Sequence, residues 1–158
     1  RGGAGTGGQM VTFDVAGYEL LADRRYDPAT HMWVDLGEDG HARIGLDPLG
    51  RETSGDVVAL SLREPGTVVQ RGQPFGDLEA AKFVGPLIAP VSGAVSACNE
   101  LVLADPGVLN VDPARHWLVA VGPLDVAELD GMLRGEAEVA PWFAAEVERF
   151  RTQGAIAE

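Results

Sequence analysis

From Val57 to Ala97 the sequence is a series of short apolar stretches cut by turn-forming residues, and this punctuation limits what the chain can fold into. The stretches are Val57–Leu62, Val68–Val69, Phe75–Glu79, Leu87–Ile88 and Ala94–Ala97. Pro65-Gly66, Arg71-Gly72-Gln73-Pro74, Gly85-Pro86 and Ser92-Gly93 separate them. Strands this short, with turns at this spacing, leave no room for helical crossovers, so they predict a small barrel or sandwich and not a βαβ fold.

The flanks add helices to this β centre. Met32–Leu36 and His41–Leu46 read as hairpin arms around the turn tetrad Gly37-Glu38-Asp39-Gly40. Asp47-Pro48 is an N-cap followed by proline at the first helical position, and Gly55 is a stop, which predicts a short helix over 48–54. Val11 to Leu21 alternates loosely, as an edge strand would. Asn99–Ala104 reads as one capped helical turn, broken by Asp105-Pro106-Gly107, and Trp117–Val121 as another strand. Asp125, with Glu128 three residues on, predicts a capping box for a helix bearing Val126, Leu129, Met132 and Leu133 and ending at Gly135. Val139, Trp142, Phe143, Val147 and Phe150 mark a final amphipathic helix. The expected organisation is an unstructured start or expression remnant over residues 1–10, one domain over 11–135, and a C-terminal amphipathic helix within 136–158 packed on it.

Charge and cysteine content remove several function classes. With 24 acidic against 12 basic side chains, a net charge of -12 and a pI near 4.5, the chain has no means of neutralising a nucleic-acid backbone. No apolar run approaches the ~20 residues of a membrane helix. Cys98, the lone cysteine, excludes an internal disulfide and a cysteine-rich metal site. A cytoplasmic, bacterial protein is the expectation.

The basic residues carry the sharper signal. Eleven are arginine, and Lys82 is the only lysine. A coding bias toward arginine explains the excess, but not the one position that escaped it. Arginine stays protonated in water and cannot serve as an acylatable amine, whereas lysine can. Lys82 lies between two strand-like segments, in Leu78-Glu79-Ala80-Ala81-Lys82-Phe83-Val84, with small or apolar neighbours. The residues therefore allow a modified lysine at a hairpin tip, an ordinary surface lysine, or a Schiff-base enzyme, for which no local group lowers the amine pKa. His31, His41 and His116 match no metal spacing and read as structural or surface residues; no metal site is expected. Cys98 reads as a small buried residue, and the scattered carboxylates nominate no acid/base pair, so no catalytic residue is expected.

An ordered set of motifs then runs along the chain. Tyr26 is followed by His31-Met32-Trp33-Val34 and Gly55-Asp56-Val57-Val58. Next come Pro65-Gly66, Arg71-Gly72, Glu79-Ala80-Ala81-Lys82 and Ala89-Pro90-Val91-Ser92-Gly93. Asn99-Glu100, Pro106 to Asn110, Pro113, Trp117-Leu118, Leu129-Asp130 and Leu133 complete it. In order and spacing this set resembles the lipoyl-bearing H protein of the glycine cleavage system. The resemblance implies a mainly β, barrel-sandwich hybrid fold, lipoyl-domain-like, with C-terminal helices. It implies lipoic acid in amide linkage to Lys82, and a carrier of an aminomethyl group in place of a catalyst. The implied partners are a lipoate ligase or lipoyl transferase, glycine decarboxylase, aminomethyltransferase and dihydrolipoyl dehydrogenase. Glu79 is expected to assist lipoylation, and Gly72, Gly85 and Gly93 to shape turns. The cofactor's own sulfurs would do the redox work, which fits an idle Cys98.

Four departures stand out. Phe83-Val84-Gly85-Pro86 replaces the family's Ala-x-Ser-Asp after the lysine, Met32 replaces a Glu, Ser54 a Leu, and His116 a Gly. If these lie on partner-facing surface, the alternative is an H-protein-like lipoate carrier serving a heterodisulfide-reductase-like sulfur-oxidation complex. Ala81 and Phe83 fit neither the Asp-Lys-Ala of dehydrogenase lipoyl domains nor the Met-Lys-Met of biotinyl domains.

Overall fold

Leu78 and Ala80 are buried while Asp77 and Glu79 face out, the two-residue period of a strand with one wet face. The same logic builds most of the chain in the computed structural model, which describes residues 10–157. Of the unstructured start expected over residues 1–10, all but Met10 lies outside the described residues. The strands are β1 (Thr12–Val15), β2 (Tyr18–Leu21), β3 (Arg25–Asp27), β4 (Met32–Leu36) and β5 (Ala42–Leu46). After helix α1 (Pro48–Ser54) come β6 (Val57–Leu62), β7 (Val68–Val69), β8 (Pro74–Ala80), β9 (Val84–Ile88) and β10 (Gly93–Cys98). Helices α2 (Glu100–Ala104) and α3 (Val108–Val111), strand β11 (Val119–Gly122), a 3-10 turn (Val126–Leu129), β12 (Leu133–Arg134) and helix α4 (Glu136–Thr152) follow.

All pairings are antiparallel. One sheet has the order β9-β8-β6, a second β12-β3-β4-β5-β11-β10-β7, and β1-β2 form a separate hairpin. The two larger sheets enclose the main core, to which Phe75, Leu78 and Leu87 contribute from one side and Val34, Ile44 and Val121 from the other. Strand β4 is buried on both faces. Met32 and Val34 enter the main core, while Trp33 turns outward into a second cluster with Phe13, Leu20, Leu49 and Phe143. Helix α4 closes that cluster with Val139, Phe143 and Val147. Its first turn carries Glu136 and Glu138 and its last turn Arg149 and Arg151, charges placed to complement the helix dipole.

Several local expectations need correction. Val11–Leu21 is a two-stranded hairpin, because Ala16 and Gly17 both take positive φ and reverse the chain. Strand β3 and helix α3 were not anticipated from periodicity. The helix expected from Asp125 to Gly135 is a 3-10 turn followed by strand β12. Asp125 does cap, accepting from the Ala127 N–H at 3.0 Å. The Glu128 carboxylate is taken instead by Ser92, whose N–H and Oγ–H donate to it at 2.7 and 2.8 Å. Gly135, with φ of 81°, begins α4 and ends nothing. Gly85 and Pro86 are not a turn either: they pair with Leu78 and Asp77 inside β9, an edge strand where proline's missing donor is tolerated.

Candidate functional site around Lys82

Strands β8 and β9 form a hairpin whose last paired residues are Glu79 and Val84. The Ala80 N–H donates to the Phe83 carbonyl at 2.8 Å and closes the tip. Lys82 sits on this tip with its side chain exposed. What distinguishes the tip is its second attachment. The Ala81 N–H donates to the Asp56 carbonyl at 2.9 Å, and the Lys82 N–H to the Ser54 carbonyl at 2.8 Å. Two successive amides of the tip are thus bound to the segment that leaves α1. An exposed loop would ordinarily give those amides to water; here the backbone under the lysine is fixed while its side chain is free.

Gly55 makes the approach possible. It has φ of 77°, and a Cβ there would lie 3.1 Å from Ala81 Cβ, Lys82 Cγ and Lys82 N alike. The sequence named Gly55 only as a helix stop, although the Gly-Asp-Val-Val motif contained it. Helix α1 is held at its other end as well. The Asp47 carboxylate accepts from the Gly50 N–H at 2.8 Å and lies 2.6 Å from His31 Nδ1. His31 Nε2 is 2.8 Å from Glu146 on α4, and its ring stacks on Trp142 at 5.2 Å between centroids. Burial opposes charge on His31, but the hydrogen bonds and charges of Asp47 and Glu146 outweigh it and raise the imidazole pKa. Burial pushes the Asp47 carboxyl up, against the pull of His31 and of the Gly50 and Leu49 N–H groups. Arg149, with His31 adding to it against the opposing effect of burial, draws Glu146 down to about 2. His31 is therefore a buried structural link between α1 and α4, an arrangement its spacing in the sequence did not reveal.

A cleft of about 330 Å³ is lined by Met32, Thr53, Ser54, Phe83, Pro86 and Ile88 among others, and so reaches the lysine's neighbour Phe83. The departures from the family pattern are thus split. Phe83 and Val84 are 40% and 78% exposed at the tip, but Met32 is only 3% exposed in the core and does not face a partner. Ser54 supplies the carbonyl that holds Lys82 and is half-buried.

The remaining candidates are placed as follows. Glu79 is exposed on β8, three residues before the lysine. Gly72, with φ of 88°, stands in the turn between β7 and β8, where the Gln73 N–H donates to the Gln70 carbonyl. Gly85 is in a strand, where a Cβ would meet the Phe83 ring at 2.9 Å. Gly93 opens β10 and not a turn; a Cβ there would lie 2.9 Å from the Gly122 backbone N. Cys98 is half-buried and donates to the Arg63 carbonyl, and burial together with Glu100 and Glu64 raises its pKa. Among the described residues no group of three or more His, Cys, Asp or Glu side chains is placed to hold a metal. No helix among them is long and apolar enough to cross a membrane.

Comparison with known proteins agrees with this geometry. The model of the glycine cleavage H-protein family matches residues 24–143. The glycine cleavage system H protein of Teredinibacter turnerae is 38% identical over 122 residues, 77% of this chain and 93% of that protein. The one from Bacillus velezensis is 36% identical over 115 residues, 72% of this chain and 89% of that protein. The crystal structure of a glycine cleavage system H protein from Mycobacterium marinum superposes with a TM-score of 0.59 at 34% identity, covering 71% of this chain and 97% of that one. On a family match over most of its length and relatives above 30% identity, the chain belongs to the glycine cleavage H-protein family.

Proposed function

We propose that the chain is a lipoyl carrier of glycine cleavage, with lipoic acid attached in amide linkage to Lys82 Nζ. The observation that carries this reading is an exposed, solitary lysine on a hairpin tip whose backbone is bound at both Ala81 and Lys82. The residues fit the group. The amine is accessible to an acylating enzyme, the exposed and small Ala81 leaves room on its approach, and the apolar cleft lined by Phe83 offers the arm a surface to rest on. When attached, the group supplies a redox-active disulfide able to accept and release a one-carbon unit.

Everything else falls to the chain's own residues. Acylation removes the lysine charge, and the clamped hairpin fixes the origin of the tether. A fixed origin keeps the arm within a limited volume, so each partner enzyme meets it at a high effective concentration. As a member of this family the chain is a carrier and not a catalyst. Lipoate ligase or lipoyl transferase would load Lys82, with Glu79 on the strand before it as a recognition contact. Glycine decarboxylase, aminomethyltransferase and dihydrolipoyl dehydrogenase would be its working partners, in a bacterial cytoplasm. The alternative set of sulfur-oxidation partners is not favoured, since the relatives above carry the glycine cleavage name.

The test is direct. Protein made with a lipoate supply should gain one lipoyl mass, Lys82→Arg should abolish the gain, and the loaded protein should support glycine–bicarbonate exchange with glycine decarboxylase. A wild-type chain that no lipoate ligase can charge would end the carrier reading. A charged chain inactive in the exchange would end the glycine assignment alone.

A further inference from the structure

The clamp on Lys82 is made by backbone groups of Ser54 and Asp56, so something must hold that segment in turn. Strand β6 begins one residue later and is an edge strand, with β8 on one side only. Its pairing with β8 is irregular at this point. Val57 pairs with Ala80 and Ala59 with Glu79, so the register slips between them, and Val58 stands 62% exposed. At a bulge the ladder leaves the local peptide planes under-determined. The bond from the Ala81 N–H to the Asp56 carbonyl is the last of the β6–β8 ladder, beyond this bulge, and the neighbouring Val57 turns its own N–H and carbonyl away from β8.

The missing partner comes from α3. The Val57 N–H donates to Asn110 Oδ1 at 2.8 Å, and Asn110 Nδ2 donates to the Val57 carbonyl at 3.2 Å. A side-chain amide has the donor and acceptor of a peptide group, so Asn110 bonds Val57 on its open edge as a neighbouring strand would. Leu109, fully buried beside it, anchors α3 in the main core. A connected path results: core, Leu109, Asn110, Val57, Asp56 carbonyl, Ala81 N–H, Lys82.

We propose that Asn110 is a positioning residue for Lys82, holding the bulged start of β6 so that the Ser54 and Asp56 carbonyls present a fixed platform to the lysine tip. The inference rests on Lys82 being the lipoylated residue, and it assigns to that site a support 28 residues further along the chain. Asparagine is required chemically. Aspartate keeps the acceptor but turns a carboxylate oxygen toward the Val57 carbonyl, and alanine removes both bonds.

The experiment compares wild type, Asn110→Ala, Asn110→Asp and a remote destabilised control, Gly40→Ala in the turn between β4 and β5. Two readouts are taken: native-state amide exchange at Ala81 and Lys82 by NMR, and the KM and kcat of lipoate ligase acting on each protein. In both Asn110 variants, exchange at Ala81 and Lys82 should quicken about three- to tenfold, the scale of one net hydrogen bond. Exchange in α4 should stay unchanged, and KM for the carrier should rise several-fold with kcat held. Gly40→Ala should leave exchange at the tip and the ligase kinetics as in wild type; tip exchange quickened as much by Gly40→Ala as by the Asn110 variants would assign the effect to global stability and overturn the proposal. If Asn110→Ala fails to fold, Asn110→Asp, which keeps the bond from the Val57 N–H, carries the comparison. Unchanged protection at Ala81 and Lys82 in a folded Asn110 variant overturns the proposal, whatever the ligase does. A wild-type chain that no lipoate ligase charges refutes the carrier reading instead, and the exchange data then decide the role of Asn110 independently.

Discussion

Gly55→Ala is best read against Gly40→Ala, which tests a positive φ without crowding. Both glycines have positive φ, 77° and 82°. A Cβ at Gly40 would meet nothing within 4 Å, whereas at Gly55 it would lie 3.1 Å from Ala81 Cβ, Lys82 Cγ and Lys82 N. Left-handed backbone costs a non-glycine residue about 1–2 kcal/mol, and Gly40→Ala incurs this alone. Gly55, with ψ of -171°, holds a conformation that costs a side chain about 1–3 kcal/mol, and Gly55→Ala adds crowding to it. The Lys82 Cγ can swing aside, but the Lys82 N cannot move a few tenths of an ångström without stretching its 2.8 Å bond to the Ser54 carbonyl. Weakening that bond, with its Ala81 neighbour, adds about 1 kcal/mol. At roughly 2–4 °C per kcal/mol for a domain of this size, Gly40→Ala should lower Tm by about 2–8 °C and Gly55→Ala by about 4–16 °C. The two should differ more sharply in function. Initial lipoylation rates by intact-mass measurement should fall several-fold for Gly55→Ala and stay at the wild-type value for Gly40→Ala. Equal melting temperatures and equal lipoylation rates in the two variants would refute the close approach of α1's end to the lysine tip.

Three further outcomes follow from other contacts. Glu146→Gln should cost about 1–2 kcal/mol near neutral pH. The fall of the Glu146 pKa from 4.5 to about 2 is linked to roughly 3 kcal/mol before screening, and the half-exposed Arg149 reduces it. A depressed carboxylate stabilises above its unfolded pKa, so the gap between wild type and variant should be full above pH 4.5 and close as pH falls through about 2. Urea unfolding across that range measures it, and a gap that persists at the acid end would assign the cost to packing. Gly45→Ala should destabilise by about 1–3 kcal/mol, since a Cβ would overlap the buried Trp33 indole; unfolding followed by tryptophan fluorescence should show the loss together with an altered native spectrum. Glu128→Ala should cost about 1–3 kcal/mol by leaving the Ser92 N–H and Oγ–H without their carboxylate, lowering Tm without altering lipoylation of Lys82.

Features written in neighbouring residues were legible in the sequence. Asp47-Pro48 and Gly55 bracket α1 because cap, first-turn proline and stop all act within one turn of the helix, and the structure places it at Pro48–Ser54. The β4–β5 hairpin is similarly local. Asp125 and Glu128 show where local reading fails. Their spacing is that of a capping box, but Ser92 competes for the Glu128 carboxylate from another part of the chain, and the segment winds only a 3-10 turn. Gly85-Pro86 has the composition of a turn, yet an edge strand accepts both residues, since Pro86 has no donor to lose on its outer side. At the site, the lysine stood out by its solitude. The groups that hold it did not, because backbone carbonyls of Ser54 and Asp56 carry no side-chain signature and Asn110 acts on a residue 53 positions away.

That backbone character explains how residues 83–86 depart from the family pattern while the chain remains within the family. Every direct bond to the tip is an N–H to a carbonyl: Ala80 to Phe83, Ala81 to Asp56, Lys82 to Ser54. Side chains at 83, 84 and 86 can change without altering any of them. The exchange of a serine-aspartate pair for Gly85-Pro86 reshapes the rim and one wall of the cleft and leaves the anchor intact. Selectivity among amines is met by composition in the same way. Eleven arginines provide positive charge without a second acylatable side chain in this sequence, so on the proposed function a modifying enzyme would need to place Lys82 correctly but have no other lysine here to avoid. Placement would then be the remaining requirement, met by a glycine with no Cβ and two carbonyls and, as proposed above, by an asparagine amide. On the proposed function, substitution should therefore be tolerated least at Gly55 and Asn110, positions with no chemistry of their own, and most in the exposed residues that immediately follow the lysine.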